Sequence, residues 1–498
     1  MIRSIVVLGG GSAGLLAALS LKTKLPALQV RLVCSRALGI IGVGEGSIVD
    51  LPNHLHGHLK LDPTDFHREV QPSYKLGVRF LWGPRDEFFY SFSSPVSAFL
   101  QGMSRPAGMA CFEDFSDLDA STALMRRGRA FLPLPNGSPD LRNNVAYHLE
   151  NEPFVAWLEK HAAARGVVFT DSLVQHVETG EEGITAIHLE TGQRVTADLY
   201  VDASGFRSEL LGRALQEPFQ SYQDTLLCDR ALAGGWDRGG DPIQPYTTAE
   251  TMQAGWSWRI DHPHRVNRGY VYSSSFLSDA AAEEEFRKRN PQAGNLRLVE
   301  FRTGRYRRPW VKNACGIGNA AGFVESLEAT ALNIIAVQCR FLAAILSETG
   351  RRPGPAMIDS FNRMMNHQWD EIRDFLAVHY RFNTRLDSPF WRHCRAHTAL
   401  HGAERIVQFY QENGPSILTQ AELLPPEMSI FRLDGFYTLL LGQKVAHQAP
   451  PLSGPDQIIW QRHRKAMAAQ AARGLSMEES LRIMQDPRWQ WTPGFYHI

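Results

Sequence analysis

The stretch "RSIVVLGGGSAGLLAALSLKTKLPALQVRLVCS", from Arg3 to Ser35, decides the fold of this chain. Its apolar run from Ser4 to Leu8 is typical of a buried strand, and the Ala- and Leu-rich run after the glycines predicts a helix. A second apolar run, from Gln29 to Val33, predicts another strand. Strand, helix and strand in this order form a βαβ unit, so the segment predicts a parallel sheet.

The turn between the first strand and the helix carries the pattern Gly9-x-Gly11-x-x-Gly14. In this position the pattern indicates a dinucleotide site, because glycines let the backbone approach a pyrophosphate that then lies at the helix N-terminus. A plain α/β turn is the alternative. The second strand of such sites usually ends in an acidic residue for the ribose. This chain has Cys34 and Ser35 there, and Ser35 is the candidate substitute.

Two later segments predict the rest of a nucleotide-binding module. Thr196 to Ser208 is typical of a buried strand, and it ends in the motif that begins at Asp202. Asn313 to Gln338 predicts a short strand, a small-residue loop and a helix whose first N–H groups are available to a ligand. Helical periodicity dominates from about Ala331 onward. We therefore expect an α/β module followed by a helical module.

The composition is that of an ordinary globular protein. The 498 residues include 52 Lys plus Arg and 52 Asp plus Glu, so the net charge of zero gives no basic surface for nucleic acid or for an anionic membrane. The apolar run from Ile5 to Leu21 lacks the flanks of a signal peptide, and no CxxC pair occurs, so we expect a cytoplasmic protein. The six cysteines are Cys34, Cys111, Cys228, Cys315, Cys339 and Cys394.

The stretch "AGWSWRIDHP" places two tryptophans, Trp256 and Trp258, one residue apart. Residues i and i+2 of a strand point to the same face, so both indoles should line one surface while Ser257 turns away. Two tryptophans on the core face of a strand are the plain explanation. A wall beside a reactive site is the functional one.

Several segments together resemble the flavin-dependent halogenases of the tryptophan halogenase type, in order from about residue 4 to residue 395. The tryptophan pair corresponds to the WxWxIP signature of that family. This chain departs from the family pattern at Asp261 and Ser326, where proline is usual, and at Ala331, where glycine is usual. The other matching segments are GVGEGS (Gly42 to Ser47), SYKLGVRF, AYH (Ala146 to His148), CDRA, GYVYSSSF, GFVESLEAT and WDEIRDFLAVHY.

The resemblance implies the α/β (α+β) FAD-binding fold of the flavoprotein monooxygenases. An FAD-binding module would occupy residues 1–340, with a substrate-side insertion at roughly 50–150, and a helical substrate-binding module would occupy residues 341–498. The implied enzyme is a two-component oxidoreductase that receives FADH2 from a separate NAD(P)H-dependent flavin reductase. It would make hypohalous acid from oxygen and chloride or bromide, and would halogenate an electron-rich aromatic compound such as tryptophan or indole.

Two other functions stay open at this point. A flavin-dependent aromatic monooxygenase would use the same cofactor without a halide, and a flavin-binding scaffold would use no oxygen chemistry. No nucleic acid and no membrane partner is expected, and a homodimer is compatible with the sequence.

The resemblance assigns Lys75 and Glu328 to catalysis. Lys75 would direct hypohalous acid to the substrate, either through a hydrogen bond or as a haloamine, whereas an arbitrary lysine at this spacing would face solvent on an edge strand. Glu328 would polarise the oxidant or take the proton of the arenium ion, whereas a glutamate at a helix start is the plain explanation. Thr330 and Ala331 occupy the halide position of the family.

The remaining assignments concern the cofactor and the substrate. Phe436 and Tyr437, in "LDGFYTLLLG", match the aromatic pair that holds the amino-acid end of free tryptophan, while an indole or another arene fits equally well. No metal is expected, and the histidines at 54, 56 and 58 are interpreted as part of a solvated loop or helix. The expected cofactor-binding residues are Gly9, Gly11, Ser12, Ala13, Gly14, Ser35, Glu45 (in a mobile strap), Val174, Asp202 and Asn319.

Overall fold

The computed structural model describes residues 1–39, 44–93, 100–104, 114–142, 145–416, 418, 420–424 and 429–491. Gly42 and Val43 of the GVGEGS segment, and Cys111, lie outside these residues. The chain forms two compact units, and each is assembled from three separated segments. The first unit comprises Met1–Gln71, Leu149–Gln223 and Phe301–Asp370, and the second comprises Pro72–His148, Asp224–Glu300 and Glu371–Ile498.

A six-stranded sheet forms the centre of the first unit, and it contains the predicted βαβ segment. Neighbouring strands run parallel except in the hairpin at one edge. The helix Ser12–Lys24 begins directly after the glycine turn and buries its residues from Gly14 to Leu21. The strands, in spatial order, are Trp310–Val311, Ala314–Gly316, Leu199–Asp202, Ser4–Leu8, Gln29–Cys34 and Val168–Asp171.

Two small antiparallel sheets and several helices complete the first unit. Their strands are Val174–Gly180, Gly183–Leu189 and Arg194–Val195 in one sheet, and Phe219–Ser221, Gly304–Tyr306 and Gly322–Phe323 in the other. The helices and helical turns are Arg36–Leu38, Asp50–Pro52, Asn53–His58, Pro63–Glu69, Asn151–Ala164, Gly205–Arg207, Glu209–Ala214, Gly318–Ala320, Ser326–Glu328 and Ala331–Glu348, and a short strand covers Glu45–Gly46.

A seven-stranded mixed sheet forms the centre of the second unit. Its strands are antiparallel to their neighbours except where Tyr246–Met252 runs parallel to Gly77–Leu81. A separate antiparallel pair joins Ser73–Lys75 to Ala146–Leu149. The strands of the large sheet, in spatial order, are Arg297–Glu300, Arg230–Asp237, Arg265–Tyr272, Gly255–Asp261, Tyr246–Met252, Gly77–Leu81 and Phe88–Ser91.

Helices dominate the last third of the chain, as the sequence predicts. In the part of the chain that the structure describes, every strand ends before residue 324. The helices of the second unit are Ala120–Met125, Asp279–Arg289, Pro389–His397, His401–Ala403, Glu404–Asn413, Gln420–Leu423, Arg432–Gly442, Gly454–Ala471 and Met477–Met484, and the helix Pro355–Phe382 belongs in part to each unit. The mixed α/β fold and its helical C-terminal part are therefore confirmed.

The helix Ala331–Glu348 is long and apolar enough to cross a membrane by length and composition alone. It lies against the glycine-turn helix of the first unit, and 67% of it is buried within the protein. Apolar side chains buried in this way stabilise a core helix, because they are removed from water by the protein itself.

Candidate active site

The three glycines of the turn in the first unit have different structural tasks. Gly9 has φ +124° and donates its N–H to the carbonyl of Val33 at 2.8 Å, and a methyl group there would overlap the carbonyl of Ala203. A methyl group on Gly14 would overlap the carbonyl of Gly9. Gly11 has no heavy atom within 4 Å of that position. The outer glycines therefore serve the fold, while the middle one borders open space.

Ser12 and Ala13 stand at the start of the helix that follows this turn. Both are half-buried, and the first N–H groups of a helix have no acceptor within the helix. These donors and the open space at Gly11 fit a pyrophosphate, which the helix dipole also favours. The residues present therefore fit the dinucleotide part of FAD.

The end of the second strand shows a residue that the sequence analysis missed. Asp171 lies opposite Cys34 in the parallel pairing, and its carboxylate accepts the N–H of Arg36 at 3.1 Å. Burial, followed by the charge of Asp171, raises the pKa of the Cys34 thiol. Ser35 is half-buried at the same sheet edge, and Val174 begins the next strand. The run Val167 to Phe169 is typical of a strand, so the sequence could have predicted Asp171 as an acidic residue at a strand end.

Asp202 is fully buried at the end of the strand next to the first one. Its carboxylate accepts hydrogen bonds from the N–H and hydroxyl of Ser204 and from the N–H groups of Leu210 and Leu211. These bonds organise the loop after the strand, although burial still raises the pKa of the Asp202 carboxyl. Its contact with the cofactor stays a prediction.

Asn319 lies in the helical turn Gly318–Ala320, after the next strand of the same sheet. Gly318 has φ +61° and donates its N–H to Gln338 Oε1 at 2.8 Å, while Asn319 is half-buried between two buried neighbours. This turn, the Asp202 loop and the glycine turn follow adjacent strands. Ligands of open α/β sheets bind at this edge, beyond the carboxyl ends of the strands.

The segment at the predicted halide position leads into the helix Ala331–Glu348. Ala329 has a left-handed backbone with φ +55°, whereas Ala331 is the first helical residue. The N–H of Ile334 donates to the carbonyl of Thr330 at 3.0 Å, so the N–H groups that precede it in the helix have no such acceptor. The helix start therefore offers anion donors without a basic side chain.

Glu328 ends a helical turn two residues before Thr330. Only 2% of Glu328 is exposed, and Glu325 in the same segment is fully buried. A carboxylate in such a position requires compensating contacts, so its retention in this apolar stretch indicates a specific task. Its catalytic role stays a prediction.

Glu45, in the predicted strap, is half-buried and contacts the helix Asn151–Ala164. The side-chain amide of Asn151 donates to Glu45 Oε1. Burial raises the pKa of the Glu45 carboxyl to about 7, although the Asn151 hydrogen bond acts in the opposite direction. Glu45 therefore changes its charge near neutral pH.

Lys75 is fully buried in the second unit, so the alternative of a solvent-facing edge lysine is wrong. The motif that carries it forms two short strands, because Ser73–Lys75 and Gly77–Leu81 pair with different partners. The Lys75 ammonium lies 5.4 Å from the centre of the Phe92 ring, within the range of a cation–π contact. The Ser73 hydroxyl donates to the backbone carbonyl of Asp261 at 2.8 Å and anchors the strand.

His148 is a second buried group beside this strand, and the sequence analysis gave it no role. It stands opposite Ser73 in the antiparallel pairing, and its Nε2 is 2.9 Å from Thr247 Oγ1. Burial, followed by the charges of Lys75 and His262, holds the pKa of His148 well below its ordinary value. The match of the AYH segment to the family pattern could have drawn attention to His148. The sequence alone does not show that its strand pairs with the Lys75 strand.

Trp256 and Trp258 lie on one face of the strand Gly255–Asp261, as alternation predicts. Their ring centres are 6.1 Å apart, and the two residues are 1% and 9% exposed. Ser257 is also buried, so both faces of the strand are covered. Trp258 stands opposite Gly269 in the neighbouring strand. The position of the tryptophans relative to a flavin stays a prediction.

Phe436 and Tyr437 are buried within the helix Arg432–Gly442. Phe436 packs edge-on against Phe375 at 4.9 Å between ring centres, and the Tyr437 hydroxyl donates to the carbonyl of Ser416 at 3.1 Å. Both rings thus have partners within the second unit, and their contact with a substrate stays a prediction.

The interpretation of the three neighbouring histidines as solvated is wrong. They form a helical turn, Asn53–His58, in which His54 and His56 are buried. The rings of His54 and His58 stack at 5.3 Å, and burial is the main cause that lowers the pKa of both imidazoles. The part of the chain that the structure describes contains no group of three or more His, Cys, Asp or Glu placed to hold a metal ion.

Comparisons with known proteins agree with this arrangement. The family model described as tryptophan halogenase matches residues 4–454. The tryptophan 7-halogenase KtzQ of Kutzneria sp. (strain 744) is 33% identical over 473 residues, which cover 88% of this chain and 85% of that protein.

Solved structures give the same result. The crystal structure of MibH, a lanthipeptide tryptophan 5-halogenase, is 38% identical, with a TM-score of 0.89, and the match covers 97% of this chain and 93% of MibH. BrvH, a flavin-dependent halogenase from Brevundimonas sp. BAL3, is 29% identical, with a TM-score of 0.84 and coverage of 98% and 100%. The chain therefore belongs to the tryptophan halogenase family and is a flavin-dependent halogenase.

Proposed function

We propose that this enzyme uses FADH2, oxygen and chloride or bromide to halogenate an electron-rich aromatic compound, with Lys75 as the group that directs the halogen. The complete burial of Lys75 beside an aromatic ring carries this proposal. A buried ammonium is costly, and a flavin-dependent hydroxylase has no task for it. In a family that makes a reactive halogen species, a buried amine can hold that species or react with it before the halogen passes to the substrate.

The first unit holds the cofactor and the halide in this proposal. The glycine turn and the helix start at Ser12 bind the pyrophosphate, and the start of the helix Ala331–Glu348 binds the halide through backbone N–H groups. Reduced FAD, when bound, would supply two electrons to oxygen, so that one oxygen atom leaves as water while the other oxidises the halide to hypohalous acid. The segment from Glu325 to Ile334 carries no basic side chain, so backbone dipoles rather than an opposite charge would hold the halide there.

Lys75 acts on the hypohalous acid by one of two routes. The ammonium donates a hydrogen bond that polarises the oxygen–halogen bond. Alternatively, the neutral amine attacks the halogen, so that an N–halogen bond forms, the oxygen–halogen bond breaks and the released hydroxide leaves as water with the amine proton. The aromatic ring then takes the halogen, and Glu328 accepts the ring proton.

The substrate carries an indole or a similarly electron-rich ring. Phe436 packs against Phe375 of another helix, and the Tyr437 hydroxyl donates to the carbonyl of Ser416, which argues against their use to hold a free amino acid. Named relatives include both tryptophan halogenases and a lanthipeptide tryptophan halogenase. We therefore propose tryptophan as the reactive group, and we leave to experiment whether it is free or within a peptide.

A separate NAD(P)H-dependent flavin reductase supplies FADH2, and the enzyme works in the cytoplasm, where such reductases and free FAD are available. The pairing of His148 with Thr247 and the enclosure of Lys75 do not require a second copy of the chain.

An aerobic assay tests the proposal. The protein is incubated with FAD, NADH, an added flavin reductase and bromide or chloride, and it is offered indole, free tryptophan and a tryptophan-containing peptide. Mass spectrometry detects the halogen isotope pattern in the product. Halogenated product that disappears in Lys75→Met, but persists in the exposed Lys465→Met control, supports the proposal. Hydroxylated product without halide dependence contradicts it.

A further inference from the structure

The helical turn Gly318–Ala320 is tied to the loop that follows the neighbouring strand of the first unit. The N–H of Ile317, directly before the turn, donates to the carbonyl of Asp202 at 2.8 Å. At the other end of the turn, the carbonyl of Ala320 accepts the Ser208 hydroxyl at 2.8 Å. Both ends of the turn are therefore fixed to the segment that begins at Asp202.

A further bond to this turn comes from Gln338, in the helix Ala331–Glu348. Gln338 is fully buried, and its Oε1 accepts the N–H of Gly318 at 2.8 Å. Because the partner is a donor, the amide must present its oxygen there and not its nitrogen. The buried Nε2 has no hydrogen-bond partner among the residues that the structure describes. An amide buried in an apolar helix at this cost has the bond to Gly318 as its task.

Gly318 lies where the turn meets two helices. A methyl group on Gly318 would be 3.1 Å from Ala13 Cβ and 3.1 Å from Ile335 Cγ1. Ala13 stands at the start of the helix after the glycine turn, and Ile335 lies one helical turn before Gln338. The turn is thus in contact with the helix that we propose for the pyrophosphate and with the helix that we propose for the halide.

Asn319, in the middle of the turn, is available to a ligand. It is half-buried, and its side chain has no hydrogen-bond partner within the part of the chain that the structure describes. A side-chain amide offers both donors and an acceptor, so it can contact a phosphate or a hydroxyl group of the cofactor. The position of this amide depends on the bonds of its two neighbours in the turn.

We propose that Gln338 is a positioning residue for FAD, whose Oε1 holds the turn in the conformation that presents Asn319 to the cofactor. Gln338 itself is enclosed by protein and does not contact FAD. Without its bond the turn adopts other conformations, and only the fraction of molecules with the turn in place binds FAD. The inference rests on the proposed function for the position of the cofactor, and it involves no step of halogenation.

The first test reads the hydrogen bond without the cofactor. Amide hydrogen exchange is followed by mass spectrometry, with fragmentation that resolves Gly318, in the wild type and in Gln338→Met. Methionine has nearly the length of glutamine but no acceptor oxygen. We expect a protected Gly318 amide in the wild type and exchange at least tenfold faster in the variant. Free exchange in the wild type, or equal exchange in both proteins, overturns the inference.

The second test separates FAD affinity from stability. Fluorescence titration gives the Kd for FAD, and thermal unfolding gives the melting temperature. Gln338→Met should raise the Kd about tenfold, because one buried hydrogen bond no longer selects the competent turn. Its melting temperature should change little, since the unpaired buried N–H groups are removed with the oxygen.

Two further variants show whether the acceptor oxygen is the cause. Gln338→Glu keeps an acceptor oxygen, and burial keeps its carboxyl neutral, so its Kd should stay within about threefold of the wild-type value. Leu346→Ala is the matched control, because it opens a cavity at a fully buried position about 12 Å further along the same helix. It should lower the melting temperature and leave the Kd unchanged.

Each outcome of the second test has one meaning. An unchanged Kd in Gln338→Met overturns the inference, and so does an equal rise in Leu346→Ala, because FAD affinity would then follow general stability. Gln338→Glu that binds as weakly as Gln338→Met also overturns it, since the acceptor oxygen would not matter. If the wild type binds FAD but gives no halogenated product, then the proposed function fails, and exchange and affinity still decide the inference.

Discussion

Gly269 makes room for Trp258. The two residues are directly opposed in the antiparallel pairing of Gly255–Asp261 with Arg265–Tyr272, and a methyl group on Gly269 would overlap the far edge of the indole. Gly269 is not in the left-handed region, so its small size rather than its backbone freedom is required. One glycine thus sets the position of the less buried tryptophan of the pair.

The first prediction follows from this contact. Gly269→Ala should displace the Trp258 ring and lower the free energy of unfolding by about 1–3 kcal/mol, because overpacking forces the neighbours to shift. If the tryptophan pair screens the reaction, then the yield of halogenated product per NADH consumed should also fall. Urea unfolding and product analysis measure the two effects. Gly240→Ala is the control, since a methyl group there meets nothing within 4 Å. Equal behaviour of the two variants would contradict the prediction.

Replacement of Lys75 should separate stability from activity. Lys75→Met fills nearly the same volume, so we expect the variant to stay folded, with a melting temperature lowered at most by the lost contacts of the ammonium, such as the one with Phe92. Halogenation should fall at least 100-fold, because no amine remains to direct the halogen. Thermal unfolding and the halide-dependent assay check both parts. A stable variant with full activity would disprove the role of Lys75.

The glycine turn allows the fold to be tested apart from cofactor binding. Gly11→Ala should leave the melting temperature unchanged, because a methyl group there has no neighbour within 4 Å, yet it should weaken FAD binding where the pyrophosphate approaches. Fluorescence titration with FAD measures the affinity. Gly354→Ala adds a methyl group in open space elsewhere in the same unit, and it should not affect FAD. Equal affinities of the two variants would place the pyrophosphate elsewhere.

Glu45 should make stability depend on pH around neutrality. Its pKa is about 7 in the folded chain and 4.5 when unperturbed, so the folded state holds a proton that the unfolded state releases. Its stabilising contribution is complete below pH 4.5 and is lost as the pH rises through 7, a difference of about 3 kcal/mol. Unfolding free energies of the wild type and Glu45→Gln, measured from pH 4.5 to 8, should diverge by up to that amount.

A matched carboxylate checks the cause of this divergence. Glu152 is exposed on the helix that carries Asn151, so Glu152→Gln removes a negative charge without changing the half-buried Glu45. Its stability curve should run parallel to that of the wild type. A curve for Glu45→Gln that also runs parallel would show that Glu45 does not titrate near neutral pH.

The loop before the halide position stores backbone strain. Ala329 has φ +55°, a conformation that costs a residue with a Cβ about 1–2 kcal/mol and costs glycine little. Ala329→Gly should therefore stabilise the folded chain by up to about 1 kcal/mol, because the greater freedom of glycine in the unfolded chain offsets part of the gain. Denaturant unfolding measures the change, and a loss of stability would contradict the prediction.

The sequence by itself determined the local elements and the family. Hydrophobic periodicity and the glycine spacing located the βαβ segment, and the strand alternation placed both tryptophans on one face. These features are encoded over a few residues, since backbone geometry and side-chain period are local properties. The resemblance to the halogenase family was also confirmed. It rested on short motifs, each a continuous stretch of sequence, so it could be recognised without knowledge of the tertiary structure.

Only the tertiary structure decided which distant groups meet. The burial of Lys75 and its neighbour His148 depends on a pairing between two strands that are about seventy residues apart, and the hydrogen bond of Glu45 depends on Asn151. The burial of His54 and the packing of Phe436 against Phe375 of another helix likewise come from long-range contacts. Such contacts depend on the free energy of the whole fold, to which the burial of apolar surface contributes most. A polar residue can therefore be buried by distant segments, and the stretch of sequence around it does not specify this.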